Sequence, residues 1–123
     1  MGRYFRSKHL LSEFALNLEF IEWRGCILLK DGIDPEKLSH WKTGTSTWVV
    51  ESVMNRRDLT DLFINPPTAV PDELICDVGN LIRRLWKLKL KSRFPDRNMV
   101  VYFQYAPPIR EITIYQEPEK KLL

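Results

Sequence analysis

Residues 71–93 read PDELICDVGNLIRRLWKLKLKSR, the longest stretch of this chain with a single repeating pattern. Its apolar residues follow one another at steps of one, three, three, one, three and three, which is the period of one helical face. They are Leu74, Ile75, Val78, Leu81, Ile82, Leu85 and Leu88. Pro71 and several acids begin the stretch and bases crowd its second half, as the helix macrodipole favours. The pattern predicts a long helix over about 71–93.

One residue inside this helix is unfavourable. Gly79 costs roughly 1 kcal/mol relative to alanine in a helix interior. Its presence predicts that a strand or an aromatic ring approaches the helix closely at this point.

Segments rich in aromatic and β-branched residues flank the helix and favour strands. We predict one or two strands within 18–29 with Gly25 at a bulge or turn, a strand over 45–53, and a hairpin of 99–105 with 110–116. In the last segment Ile112 and Ile114 alternate with Glu111, Thr113 and Tyr115, which is typical of a half-buried strand.

Three short helices complete the pattern. Ser7 is a candidate N-cap for a helix over 7–16, and Asp34 followed by Pro35 predicts a single turn over 34–38. Residues 55–64 are interpreted as a short helix or turn in which Asn55 is the N-cap and Asp58 completes a capping-box-like pair. The segment 51–58 is also a candidate site, because a strand end that runs into polar residues often carries function.

Length and composition set the fold class. A chain of 123 residues with 44% hydrophobic and 28% charged residues is typical of one globular domain. The predicted class is α+β: a mostly antiparallel sheet of about four to five strands, with the helix of about 71–93 packed on one face. The domain is expected to span 1–123, with flexible ends at about 1–6 and 117–123.

Catalytic motifs are absent from the sequence. Its five glycines never cluster into a phosphate loop, and it has neither a nucleophile elbow nor a His-Glu-x-x-His motif. Cys26 and Cys76 lie in apolar runs and have no zinc-ligand spacing, so two reduced core thiols are expected. A pair of His40 with either cysteine has no support from spacing. We therefore expect no catalytic residue, metal or cofactor, and a chain that is not an enzyme.

The expected location is the cytoplasm. No apolar run approaches the ~20 residues of a membrane span. The first twenty residues carry charges throughout and lack a secretory signal.

The first candidate surface is the polar segment 39–48, which two tryptophans bracket. Tryptophan is enriched at binding hot spots, so this loop is a candidate for partner recognition. The alternative is that both indoles fold back over the sheet. The residues predicted to bind a partner are His40, Trp41, Lys42, Trp48, Arg56 and Arg57.

The second candidate surface is the basic stretch 83–97, in which seven Lys or Arg residues accompany one acid, Asp96. They are Arg83, Arg84, Lys87, Lys89, Lys91, Arg93 and Arg97. Such a stretch suits nucleic-acid phosphates, with Phe94, Trp86 and Tyr102 as stacking faces. The alternative is a solvated helix face, which the modest net charge of +3 favours.

Several short motifs resemble a family of short, uncharacterised bacterial α+β proteins over about residues 48–116. They are Glu51-Ser52-x-Met54-Asn55, Asp61-Leu62-Phe63, Trp86-Lys87-x-Lys89-Leu90, Phe94-Pro95-Asp96-Arg97 and Ile112-Thr113-x-Tyr115-Gln116. The resemblance implies an autonomous bacterial domain and no particular activity. The small α+β shape is also similar to immunity proteins that neutralise bacterial toxins, by analogy of fold.

These observations favour a non-enzymatic protein-binding domain whose partner is a toxin or a complex subunit. Its specific form would be an immunity protein that acts by direct contact. The positive charge suits a neutral or acidic partner better than a basic nuclease. A nucleic-acid-binding module using 83–97 is the alternative function, and an unrecognised enzyme would require a concave pocket with shifted pKa values. An exposed apolar face beside the basic helix would indicate a homodimer.

Overall fold

The computed structural model describes residues 4–31, 33–41, 44–64 and 69–118, and these form an α+β fold. In chain order the elements are α1 (Lys8–Leu16), β1 (Phe20–Trp23), β2 (Cys26–Leu29), α2 (Pro35–Ser39), α3 (Thr47–Met54), β3 (Arg57–Asp58), a 3-10 turn (Thr60–Leu62), α4 (Asp72–Arg93), β4 (Met99–Ala106) and β5 (Ile109–Gln116).

The long helix α4 confirms the strongest prediction, but its buried line differs from the predicted stripe. The side chains that pack inward are spaced by four, three, four and four residues: Ile75, Gly79, Ile82, Trp86 and Leu90. Leu81 and Leu88 of the predicted stripe are instead 49% and 66% exposed. Apolar residues cover more than half of the helix circumference. The sheet therefore buries only some of them, and the others remain exposed to solvent.

Gly79 allows the close approach that its position predicted. A Cβ atom added there would lie 2.1 Å from Cζ of Phe103 on β4. The ring of Phe103 therefore occupies the space that any other residue at this helix position would need.

The strands form two small sheets instead of one sheet of four to five strands. β1 and β2 pair antiparallel as a hairpin, and the second sheet has the order β3–β5–β4. β3 pairs with β5 only at Arg57↔Ile112 and Asp58↔Glu111, because it is two residues long. Beyond β3, the same edge of β5 contacts side chains of α3, and these side chains separate β5 from β2.

The strand predicted over 45–53 is wrong, because these residues form α3. The β-branched residues favour a strand locally, but tertiary contacts override this preference. The helical spacing puts Val50 into the core and directs Glu51 towards the strands. The helix or turn predicted over 55–64 is replaced by β3 and the 3-10 turn, and Asn55 is the C-cap of α3 instead of an N-cap.

The shorter predicted features are confirmed. The Ser7 hydroxyl accepts the N–H groups of His9 and Leu10, and Asp34 accepts that of Glu36. Gly25 turns the chain between β1 and β2 with a φ of +81°.

The N-terminal residues that were predicted to be flexible differ in part. Phe5 forms a β-bridge with Phe63, and the N–H of Ile64 donates to the carbonyl of Tyr4. Residues 1–3 and 119–123 of the predicted flexible ends lie outside the described residues. None of the helices in the described part of the chain has the length and apolar character to cross a membrane.

Two hydrophobic cores lie on opposite sides of β2. Ile27 and Leu29 pack into the larger core, together with α1, α4 and the inward residues of β4 and β5. Cys26 and Leu28 pack into the smaller core with residues of α2 and α3. β2 is thus buried on both faces, whereas the β4–β5 hairpin is covered by α4 on one face only.

Candidate functional site

The inward side of α3 carries two buried polar residues, Glu51 and Asn55, which we call the polar clip. Both are 0% exposed. One carboxylate oxygen of Glu51 accepts the backbone N–H of Ile27 and the side-chain amide of Gln116, each at 2.7 Å. The other accepts the backbone N–H of Gln116, also at 2.7 Å.

Asn55 completes the clip one helical turn later. Its Oδ1 accepts the N–H of Leu29 at 2.8 Å, and its Nδ2 donates to the carbonyls of Ile27 and Ile114 at 2.9 and 3.1 Å. The two side chains therefore supply the hydrogen bonds that a strand between β2 and β5 would have made. Their polar atoms are engaged with the protein, so the clip is structural.

Beside the polar clip, the edge of α3 next to β5 borders a second region, which we call the open face. It is the side of the β4–β5 hairpin that α4 does not cover, together with the neighbouring surface of α3. A groove of about 160 Å³ runs along it. Its side chains come from α3 (Trp48, Ser52), from the residue after its C-cap (Arg56), from β4 (Tyr102, Gln104) and from β5 (Glu111, Thr113, Tyr115).

Strand alternation brings these residues to one side. Tyr102 pairs with Thr113 and Gln104 with Glu111 across the hairpin, while the residues between them point into the larger core. The hydroxyl of Thr113 donates to the carbonyl of Ser52 at 2.8 Å, which fixes α3 against the sheet.

Aromatic side chains dominate the solvent-exposed part of the open face. Trp48 is 41% and Tyr102 is 50% exposed. The ring of Trp48 lies 6.3 Å from that of Tyr115. At the edge, Nε of Arg56 lies 3.6 Å from a carboxylate oxygen of Glu111. The face can thus offer aromatic contact area, a cation and a carboxylate to a bound partner.

Of the residues predicted to bind a partner, the structure brings Trp48 and Arg56 to this face. His40 is exposed at the end of α2, and Lys42 lies outside the described residues. Trp41 is half-buried against the smaller core, where it lines a separate crevice of about 230 Å³ with Trp23. The two tryptophans of the predicted loop therefore have different surroundings.

Arg57 stabilises the backbone at the end of α3 and is not free to bind a partner through its guanidinium. Its guanidinium donates to the carbonyls of Met54 at 2.9 Å, Arg56 at 3.0 Å and Asp31. Burial lowers the pKa of Arg57, and the nearby charge of Asp31 partly opposes that effect. Because its donors are spent on the backbone, Arg57 closes the turn after α3.

Tyr102 and Tyr115 were not assigned to partner binding from the sequence. The alternation along β5 already placed Tyr115 opposite the buried isoleucines, and the same rule applied to β4 would have found Tyr102. The sequence did not indicate the position of α3, which brings Trp48 to the same face as these two tyrosines.

The basic stretch divides into exposed and engaged residues. Five side chains on the last turns of α4 are exposed: Arg84, Lys87, Lys89, Lys91 and Arg93. Arg83 is half-buried. Arg97 donates to Oε1 of Gln116 at 2.9 Å, and one of its nitrogens lies 3.5 Å from a carboxylate oxygen of Glu22.

The stacking role considered for Trp86 is wrong. Trp86 is 1% exposed, and its indole N–H donates to the carbonyl of Phe14 at 3.0 Å. Phe94 packs edge-on against Phe20 at 5.5 Å, which leaves it half-buried. The exposed basic end of α4 therefore offers charges without these two aromatic faces.

The cysteines have no catalytic surroundings. Cys26 is buried, and burial followed by the charge of Glu51 raises the pKa of its thiol. A neutral thiol is a poor nucleophile. Cys76 is a free, half-buried cysteine on α4. Within the described ranges, no group of three or more His, Cys, Asp or Glu side chains is placed to hold a metal ion.

A wider groove of about 910 Å³ lies between α1 and the ends of β2 and β3. Charges of both signs line it, and several are used locally. Glu13 accepts from the amide of Asn17 at 2.9 Å, and Asp58 accepts the N–H of Thr60 at 2.7 Å. Lys30 pairs with Glu19 at 3.2 Å. Nine of its twelve lining residues are polar or charged, unlike the predominantly apolar lining of most small-molecule pockets.

Comparisons of the chain with protein-family models, with curated proteins and with solved structures found no match.

Proposed function

We propose that this chain is a protein-binding domain that contacts its partner through the open face. The observation that carries the proposal is the exposure of Trp48 on α3 and Tyr102 on β4, at a face of the hairpin where α3 buries Thr113 and leaves these two rings in solvent. The opposite face of the same two strands is buried under α4. An uncovered sheet face with large aromatic side chains is a common form of interaction surface.

The residue types on the open face suit a protein partner. Tryptophan, tyrosine and arginine carry most of the binding energy at protein interfaces. Trp48 and Tyr102 would supply apolar contact area, with Arg56 and Glu111 at the edge to fix orientation. The groove is shallow, about 160 Å³, which is smaller than the usual pocket for a small molecule.

The open face is also held in place before binding. Its residues lie on helix and strands instead of loops, and the polar clip and the Thr113–Ser52 hydrogen bond fix α3 against β5. A preorganised surface loses less conformational entropy when it binds.

The narrower form of the proposal is a bacterial immunity protein that neutralises a toxin by direct contact. The net charge of +3 supports a neutral or acidic partner surface. This form rests on the same open face, so one set of variants tests both.

The experiment compares the wild type with Trp48→Ala and Tyr102→Ala. The matched control is Leu16→Ala, which removes an exposed apolar side chain from α1, away from the open face. Each variant is used for affinity capture from host lysate, and any protein captured at equal stoichiometry is purified and titrated against all four chains. We expect the two open-face variants to weaken its binding at least about tenfold, equivalent to about 1.4 kcal/mol.

Leu16→Ala should bind that partner like the wild type. Equal affinity of all four chains would contradict the assignment of the open face. A captured set that disappears after nuclease treatment would contradict the protein-binding function itself.

A second function is supported by the five exposed bases on the last turns of α4, a span that contains no acid. Nucleic-acid binding through phosphates would use these charges, without stacking by Trp86. Its affinity would fall steeply with salt, by a slope set by the number of phosphate contacts. Reversal of Lys87 and Lys91 to glutamate should abolish binding to a fluorescent single-stranded oligonucleotide, and a flat salt response would exclude this function.

A further inference from the structure

A line of leucines on α4 is exposed over most of its length: Leu81 and Leu88 lie in solvent, and Leu74 packs only partly against the larger core. Leu74, Leu81 and Leu88 are spaced by seven residues, so they lie along one side of the helix. Leu81 and Leu88 are the exposed residues of the predicted stripe, on the far side of α4 from the line that packs on the sheet. We call these three residues the leucine line.

Charged residues accompany the leucine line at the same spacing. Asp77, Arg84 and Lys91 each follow a leucine by three residues, so they form a parallel row beside it. All three are exposed. Within the described ranges, neither Asp77 nor Arg84 has a hydrogen-bond or ion-pair partner. The row changes sign along the helix, from acidic near its start to basic near its end.

We propose that two copies of this chain associate through α4, with the helices antiparallel and a two-fold axis at Leu81. In this arrangement Leu81 meets Leu81 of the second copy, and Leu74 meets Leu88. Asp77 then lies beside Arg84 of the second copy, and the two-fold axis repeats this ion pair. The surface is self-complementary, as an isologous dimer requires.

The charges select the antiparallel orientation. In a parallel pair the two charge rows would lie on opposite sides of the leucines, so Asp77 would have no Arg84 of the second copy beside it. The antiparallel pair also brings the acidic first turn of each helix, Asp72 and Glu73, towards the basic last turn of the other. Antiparallel macrodipoles add to the same preference.

This dimer is compatible with the proposed function and independent of it. α4 covers one face of the β4–β5 hairpin, and the open face lies on the other. The leucine line extends over two heptads, fewer than the three or four of a stable coiled coil, so the association is weak. We expect a dissociation constant on the order of 10 µM.

Sedimentation equilibrium of the full chain over about two decades of concentration tests the proposal. The wild type should change from monomer to dimer. Leu81→Asp places two carboxylates at the two-fold axis and should leave only monomer. Leu16→Asp, at an exposed leucine outside α4, should dimerise like the wild type. Circular dichroism confirms that each variant is folded.

Charge exchange tests the orientation. Asp77→Lys and Arg84→Glu, each alone, should weaken dimerisation at least about tenfold, because each places like charges side by side. The double variant restores both ion pairs and should return to within about threefold of the wild type. A wild type that is monomeric at every concentration overturns the dimer, and a double variant as weak as the singles overturns the antiparallel arrangement.

Discussion

Two neighbouring parts of α3 use polar and apolar residues in the opposite of the usual way. The part that faces β2 and β5 buries a carboxylate and an amide, Glu51 and Asn55, and uses them as a substitute for a strand. The adjoining edge, three residues before Glu51, exposes an indole, Trp48. On this helix, therefore, the buried polar residues hold the fold together, and the exposed aromatic residue is the candidate for recognition.

Adjacent residues of β4 show a related contrast. Phe103 fills the space above Gly79 and belongs to the larger core, whereas Tyr102 points to the open face. Each element of the site thus has residues that determine stability and, beside them, residues that are free to bind. If this division is correct, substitutions of the first kind should change the free energy of unfolding, and substitutions of the second kind should change the affinity for the partner.

The largest effect is expected at the polar clip. Glu51→Ala leaves the backbone N–H groups of Ile27 and Gln116 without their acceptors in a buried site. Each unsatisfied donor costs about 1–3 kcal/mol, so the free energy of unfolding should fall by about 2–6 kcal/mol. Urea denaturation followed by circular dichroism measures it.

Asn55→Asp tests the clip without a change of shape. It replaces the Nδ2 donor by an oxygen that faces two carbonyls, those of Ile27 and Ile114, and a loss of about 3–5 kcal/mol is expected. Ser52→Ala, on the edge of the same helix next to the open face, is the matched control, because it removes only a hydroxyl that donates to Val49 of the same helix, and it should change stability by less than about 0.5 kcal/mol. Similar losses for Ser52→Ala and Asn55→Asp would contradict the special role of the polar clip.

The next effect is expected where α4 meets β4. Gly79→Ala gains roughly 1 kcal/mol of helix propensity but forces the ring of Phe103 aside, and overpacking typically costs about 1–3 kcal/mol. We expect a net loss of up to about 2 kcal/mol in urea denaturation. The loss should shrink in a Phe103→Leu background, since the two sites are coupled through this contact. Equal losses in both backgrounds would show that the ring does not limit this position.

A smaller effect is expected from the hydrogen bond between β5 and α3. Thr113→Val keeps the shape and the strand preference but removes the donor to the carbonyl of Ser52. The loss should be about 1 kcal/mol by thermal or urea denaturation. An unchanged midpoint would mean that Thr113 does not fix α3.

The sequence predicted the elements whose local signals agree with their tertiary surroundings. The α4 helix has an initial proline, terminal charges that suit the macrodipole and a continuous period, and Gly79 indicated the close approach of a strand or an aromatic ring. The hairpin of β4 and β5 was predicted from alternation alone. In each case the contact that stabilises the element lies within it or along one periodic face.

The prediction failed at α3, where local and tertiary preferences disagree. Thr47, Val49 and Val50 favour a strand, but the helix is stabilised by hydrogen bonds from Glu51 and Asn55 to strands far away along the chain. Those partners are set by the chain topology, which propensity does not contain. For the same reason the sequence did not reveal the open face, since Trp48 lies on the same face as Tyr102 and Tyr115 only because α3 is a helix beside β5.

The smallest effect on stability is expected at the edge of the open face, where one substitution should distinguish binding from folding most clearly. Arg56 is exposed, Glu111 is partly exposed, and the two lie 3.6 Å apart; an ion pair of this kind contributes about 0.2–1 kcal/mol. Arg56→Ala should therefore leave the urea midpoint almost unchanged while it weakens binding of the captured partner. Because a rim charge acts mainly on encounter, the loss should appear in the association rate and fade at high salt. A clear loss of stability with unchanged binding would give Arg56 a structural role and remove it from the open face.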